Sequence, residues 1–239
     1  MRKLLYPFTL FTIAAFLAAC SGGSTETVEE TDETAEAEAS EEAAEPFTIM
    51  AFSHEVNDWA TWKSSYDEHK SMRDEASLEE LDVLVNIDNP NDVMVVLRSK
   101  DHESAAGFAD SEDLKAAMEN AGVAGPPNIT YWDIVSSIGE EAEIMQRYRL
   151  LVTHEVEDYD KWRLLFDEDK SNRAAAGMVT LGVAKDKDNA NMISIMFAFD
   201  DLDEVREFTV SEELKTKMEE GGVIGTPTFK WMEVPQETM

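Results

Sequence analysis

The chain writes one passage twice. His54 to Arg73 reads HEVNDWATWKSSYDEHKSMR and His154 to Arg173 reads HEVEDYDKWRLLFDEDKSNR, in one register and one hundred positions apart. Aligning residue n with n+100 needs no gap from 54 to 131, and roughly a third of those positions are identical, far beyond chance for an internal repeat. The shared set includes His54/His154, Trp62/Trp162, Asp67/Asp167, Arg73/Arg173, Phe108/Phe208 and a closing Gly-Val-x-Gly-x-Pro at 122–127 and 222–227. Whatever the fold, it must accommodate two copies of one unit. Any site used once must be made of residues that the copies do not share; His69 and His102, facing Asp169 and Leu202 in the second copy, are examples.

Each copy has the pattern strand, helix, strand, strand, helix, strand. Tyr148, Leu150, Val152, His154 and Val156 alternate with a strand period. Asp158 suits a helix N-cap, and Tyr159, Trp162, Phe166, Asp169 and Arg173 then follow on one helical face. Leu81–Val85 and Val93–Leu97 are β-rich runs around the turn residues Asp88-Asn89-Pro90-Asn91. Asp101 and Asp201 can cap a second helix, which Gly122 and Gly222 can end in the left-handed conformation. Ile129–Val135 and Phe229–Val234 are the last strands. The order βαββαβ is the ferredoxin-like split motif. Its sheet carries both helices on one face, and an apolar bare face must be covered; the second copy supplies the cover.

Two such units packed sheet against sheet resemble the dimeric α/β barrel superfamily, which includes antibiotic-biosynthesis monooxygenases, stress-responsive barrel proteins and haem-using relatives. The resemblance spans Phe47 to Val234 and rests on element order and on the His-Glu-Val…Trp and Gly-Val-x-Gly-x-Pro segments. It implies an α+β fold in which one chain forms its own pseudo-dimer, a monomer in solution. No catalytic signature of the superfamily matches these segments, so no functional residue carries over from it.

The ends give an address. Arg2 and Lys3 precede an apolar run from Leu4 to Phe16, and Leu17-Ala18-Ala19-Cys20 follows; this is a secretory signal whose ending resembles the bacterial lipobox. The resemblance implies cleavage before Cys20 and acylation of that residue, which is the single cysteine of the chain; several acyl chains anchor stably in a bilayer. Ser21 at the next position, in place of Asp, resembles lipoproteins sent to the outer membrane of a Gram-negative bacterium. Residues 21–46 hold ten acidic side chains and no basic one, a composition that reads as a disordered, extended tether. The expected organisation is signal peptide 1–19, acylated cysteine and tether 20–46, repeat one 47–136, linker 137–146 and repeat two 147–239. The chain has 51 acidic against 20 basic residues and a net charge of −31. That balance excludes a phosphate-binding surface and therefore a nucleic-acid partner.

The recurring side chains with chemistry attached are His54, His154, Arg73, Arg173, Trp62 and Trp162. A His near the end of the first strand can act as an acid–base group, a metal ligand or a haem ligand, or order the turn into the helix by a hydrogen bond. Arg73 and Arg173 share a helical stripe with Trp62/Tyr66 and Trp162/Phe166. There a guanidinium either snorkels at the helix end, pairs with a carboxylate, or meets an anionic ligand. The tryptophans read as core anchors and as walls of a ligand site. His-Glu-Val-x-Asp is not a zinc-protease motif, which needs a second His on the same helical face. Phosphate loops and Cys/His metal clusters are absent from the sequence. The residues call for no cofactor, and haem enters only through the superfamily.

Three functions follow as expectations. The first is a membrane-anchored lipoprotein whose barrel holds a small, largely apolar ligand without turnover. The second is a cofactor-independent monooxygenase-like or other barrel enzyme using His54 or His154. The third is a purely structural envelope protein, if the barrel is packed solid. The sequence favours the first, because catalysis usually needs a nucleophile, base and stabiliser together.

Overall fold

The computed structural model describes residues 41–43, 47–138 and 143–236. The signal peptide, Cys20 and residues 20–40 of the expected tether lie outside them. The first copy comprises β2 (Thr48–Glu55), α1 (Trp59–Glu68), α2 (Lys70–Glu75), β3 (Glu79–Asn86), β4 (Asn89–Ser99), α3 (His102–Ala109), α4 (Glu112–Asn120) and β5 (Asn128–Ile138), preceded by a short β1 (Glu41–Ala43). The second comprises β6 (Tyr148–Val156), α5 (Tyr159–Glu168), α6 (Lys170–Ala175), β7 (Val179–Asp186), β8 (Met192–Phe199), α7 (Leu202–Thr209), α8 (Glu212–Glu220) and β9 (Val223–Glu233). Both copies have the expected βαββαβ order, with each helical segment in two pieces.

The strands follow one another as β5-β2-β4-β3-β9-β6-β8-β7, and β7 pairs back onto β5, closing an eight-stranded antiparallel barrel. The two seams between copies are unequal. The β5–β7 seam pairs from Trp132↔Asp186 to Ser137↔Gly182, whereas the β3–β9 seam holds Val85↔Glu233 and Asn86↔Met232. Internal contacts group the described residues into one compact unit.

Strand alternation sorts the side chains onto two faces. Met50, Phe52, Val83, Val93, Val95 and Leu97 pack outward under the helices with Trp62 and Phe108; Leu150, Val152, Ile193, Ile195 and Phe197 do the same with Trp162. A third cluster, Leu84, Met94, Val96 and Met232, lies on the inner face. Both faces of every sheet half are apolar, which is why one unit alone would leave a face bare.

Local signals hold as expected. Asp58, Asp101, Asp158 and Asp201 accept from backbone N–H groups three residues on. Ser111 and Ser211 cap α4 and α8, and Gly122 and Gly222 have φ of +76° and +74°. Three expectations change. Glu41–Ala43, within the stretch expected to be a disordered tether, pairs with residues 136–138 of β5, because β5 outruns β2 and its backbone groups there take a partner that needs no particular side chain. β5 also extends to Ile138, into the expected linker. The first helix is not continuous: it breaks at His69 and at Asp169.

Candidate functional site

The break in the helix explains the arginines. In an unbroken helix the carbonyl of residue 66 would accept from the N–H of residue 70. Here Arg73 Nη1 donates to Tyr66 O at 2.7 Å, and Arg173 Nη1 donates to Phe166 O at 2.6 Å. Each guanidinium also stacks on the ring of that same residue, 3.7 Å from its centroid. Carboxylates complete the balance: Glu80 stands 3.6 Å from Arg73 and Asp169 3.9 Å from Arg173. Of the roles open to these residues in the sequence, the structure shows a buried pairing that closes the break and fixes the aromatic face.

That face builds two equivalent pockets between sheet and helices. In the first copy Trp62 stacks on Tyr66 at 5.0 Å, and His54 lies 5.5 Å from Trp62. In the second, Trp162 stacks on Phe166 at 4.9 Å, with His154 at 5.6 Å. All six recurring residues are thus gathered, three to a pocket: His54, Trp62 and Arg73 line one of about 70 Å³, and His154, Trp162 and Arg173 line one of about 80 Å³. Met118 and Met218 close them from α4 and α8.

The imidazoles are the unusual feature. His54 and His154 are 8% and 6% exposed, and no ring nitrogen of either has a hydrogen-bond partner among the described residues. Burial in apolar surroundings lowers both pKa values to about 4, so both rings are neutral at pH 7. An unpaired buried polar group costs roughly 1–3 kcal/mol, and here the cost is incurred twice at equivalent places. The expectation that His would hydrogen-bond at the strand end is not met.

The copies differ around this shared frame. Tyr66 donates to Glu80 Oε2 at 2.6 Å in the first, where the second has Phe166 and Thr180. His69 Nδ1 lies 2.6 Å from Ser65 O; the residue in its place is Asp169. His102 lies apart, edge-on to Tyr131 at 4.5 Å. The sequence places Tyr66 on the stripe but does not show its pairing with Glu80, which is formed across a 14-residue separation and is absent from the second copy. No group of three metal-ligating side chains occurs among the described residues.

A larger cavity, of about 650 Å³, lies on the other face of the sheet, inside the barrel. With this arrangement in view, comparison with solved structures decides the fold. This is a dimeric α/β barrel made by one chain. An anthrone oxidase-like protein superposes with a TM-score of 0.56 at 11% identity, over 82% of this chain and 95% of that one. A candidate monooxygenase from Lactobacillus acidophilus gives 0.52 at 12% identity, over 79% and 93%. A heme-binding protein from Thermus thermophilus gives 0.52 at 8%, over 82% and 93%. No family model and no curated protein matches the sequence.

The haem-binding neighbour makes haem a group to test against these residues. A haem needs an axial ligand, most often an imidazole, beside a space of macrocycle size. His54 and His154 stand against tryptophan rings in pockets of about 70 and 80 Å³, and the large cavity is lined by no histidine among the described residues. Neither location offers both an imidazole and room, so the residues do not fit a histidine-ligated haem.

Proposed function

We propose that the protein is a lipid-anchored, extracytoplasmic binding protein, and that its paired sheet–helix pockets each hold a small, largely apolar molecule. The observation that carries this reading is the neutral, unpartnered imidazole at the same place in both copies, set in an apolar, aromatic wall. Such a group offers one donor and one acceptor to a ligand that is otherwise apolar. At about 70 and 80 Å³ each pocket is smaller than the roughly 150 Å³ that holds benzene, so the ligand has only a few heavy atoms. Anchoring through acylated Cys20 and the outer-membrane address rest on the sequence alone.

The enzyme reading rests on the same histidines and on the monooxygenase-like neighbours. A pKa of about 4 makes the imidazole a weak general base at neutral pH, where the most effective base has a pKa near the working pH. So weak a base favours the binding reading over proton abstraction.

The test is a titration of residues 38–239 with small neutral alcohols, followed by the imidazole ¹⁵N signals. Saturable shifts of the two signals that His54→Ala and His154→Ala identify by their disappearance support the reading; flat signals overturn it. Turnover of a quinol-like substrate that disappears in either variant would instead establish the enzyme.

A further inference from the structure

The barrel interior breaks the repeat. On the first copy's β3 and β4 the inward cross-strand pairs are Leu84 with Met94 and Asp82 with Val96. At the equivalent places on β7 and β8 they are Ala184 with Ser194 and Gly182 with Met196. Three bulky or polar positions of one copy are thus Gly, Ala and Ser in the other. The consequence differs at the two seams. Across β9, Arg149 reaches from β6 to Asp82 on β3, with Nε donating to Oδ2 at 2.7 Å, and Leu84, Met94 and Met232 pack beside them. Across β5 the same two positions are Ile49 and Gly182, and there the barrel encloses the cavity of about 650 Å³. The interior is thus filled at the β9 seam, and the cavity runs from Asp82 and Met94 beside that filling to Trp132 and Ile134 on β5.

The size falls within the roughly 300–1,000 Å³ of small-molecule sites, and the walls are mainly apolar, with Ile49, Val96, Trp132, Leu151 and Met196 among them. The charged groups that border the cavity are matched within the protein. Glu79 faces Arg98 at 3.3 Å, Asp82 holds Arg149, and Glu80 takes the Tyr66 hydroxyl and faces Arg73 at 3.6 Å. Neither an anion nor a cation would find an unmatched partner here, and either would lose its hydration on entering.

We propose that this cavity is a single binding site, on the opposite face of the sheet from the histidine pockets, for a neutral and largely apolar molecule of drug-like size. Apart from Leu81 and Leu181, its walls are residues at which the two copies differ, so the duplication yields one such site per chain rather than two. The site does not depend on what the histidine pockets bind.

The probe is N-phenyl-1-naphthylamine, a neutral fluorophore, titrated into residues 38–239 beside its anionic relative 8-anilinonaphthalene-1-sulfonate. The expected result is one neutral probe per chain, with the sulfonate at least tenfold weaker. Ala184→Leu combined with Ser194→Met, which installs the first copy's residues, lowers affinity for the neutral probe at least tenfold. Leu164→Ser, a change at an exposed apolar side chain, leaves it unchanged and so excludes surface adsorption. Circular dichroism confirms that the filled variant folds; if it does not, Met196→Trp, which narrows the cavity from β8, is read in its place. No saturable binding, two probes per chain, equal affinity for the sulfonate, or full affinity in a folded filled variant would each overturn the proposal.

Discussion

Arg149 and Asp82 join the two copies inside the barrel, 67 residues apart in sequence and 2.7 Å apart in space. Arg149 also donates to the carbonyls of Gln146 at 2.7 Å and Tyr148 at 3.1 Å, so its donors are well used. The carboxyl is held less comfortably: burial pushes the pKa of Asp82 above its ordinary value, and Arg149 offsets only part of this. The pair therefore specifies which halves meet and fills one end of the interior, without being a strong net stabiliser.

Arg149→Ile places the first copy's residue at this position and leaves Asp82 buried without its guanidinium. The expected cost is about 3 kcal/mol in urea unfolding. It shrinks as the pH is lowered into the carboxyl range, because a folded-state pKa above the unfolded value lets the native protein take up the proton first. Adding Asp82→Leu should recover most of the loss. A double variant as unstable as the sum of the two singles would show that the residues are not coupled.

The histidines give the opposite sign. An unfolded imidazole binds a proton near pH 6.5 and the folded ones near 4, so between these values the unfolded state holds more protons. Stability falls as pH drops from about 6.5 to 4, by about 3 kcal/mol per histidine at the lower limit. Carboxylates contribute their own slope, so the informative measurement is the difference from wild type. His54→Phe and His154→Phe should each flatten urea-derived stability across this window, and parallel curves would mean that these rings titrate in the folded protein as they do in the unfolded chain.

The repeat made the fold legible. A chain that writes βαββαβ twice, with both faces of its strands apolar, has few ways other than the barrel to cover them. Helical spacing puts Trp62 with Arg73 and Trp162 with Arg173, and the structure adds His54 and His154 to them. The part that was not legible lies in the third dimension. Strand alternation puts His54 on the face of Phe52 and Val56, but it does not say whether that face meets helices or barrel interior; the structure places it under the helices. The use of Arg73 and Arg173 to satisfy the carbonyls of Tyr66 and Phe166 depends on a helix break that no Gly or Pro announces. The interior cavity arises from differences, such as Ile49 against Arg149 and Asp82 against Gly182, while repeat analysis draws attention to identities.

Arg73→Met and Arg173→Met would leave a buried carbonyl without its donor at each break, at an expected cost of about 2 kcal/mol. Lysine should restore little, because an ammonium lacks the planar fork that stacks on the ring while donating to the backbone. The checking measurement is hydrogen exchange, which should accelerate at residues 66–75 or 166–175 respectively. Unchanged exchange with a normal unfolding midpoint would remove the arginines from this role.

The glycines of the second helical segment of each copy separate into two kinds. Gly122 has φ +76°, and an added Cβ would meet Asn57 Nδ2 at 3.3 Å; Gly222 has φ +74°, and its Cβ would meet Glu157 Cβ at 3.3 Å. Alanine at either should cost about 1–2 kcal/mol from left-handed backbone strain and loosen α4 or α8, which carry Met118 and Met218 over the pockets. Gly107 is different. It lies within α3, and a Cβ there would meet nothing within 4 Å, so Gly107→Ala should stabilise by about 0.4–1 kcal/mol through the unfolded chain. Thermal unfolding of the three variants tests the distinction directly, since a loss of stability in Gly107→Ala would require a contact over α3 that this packing does not contain.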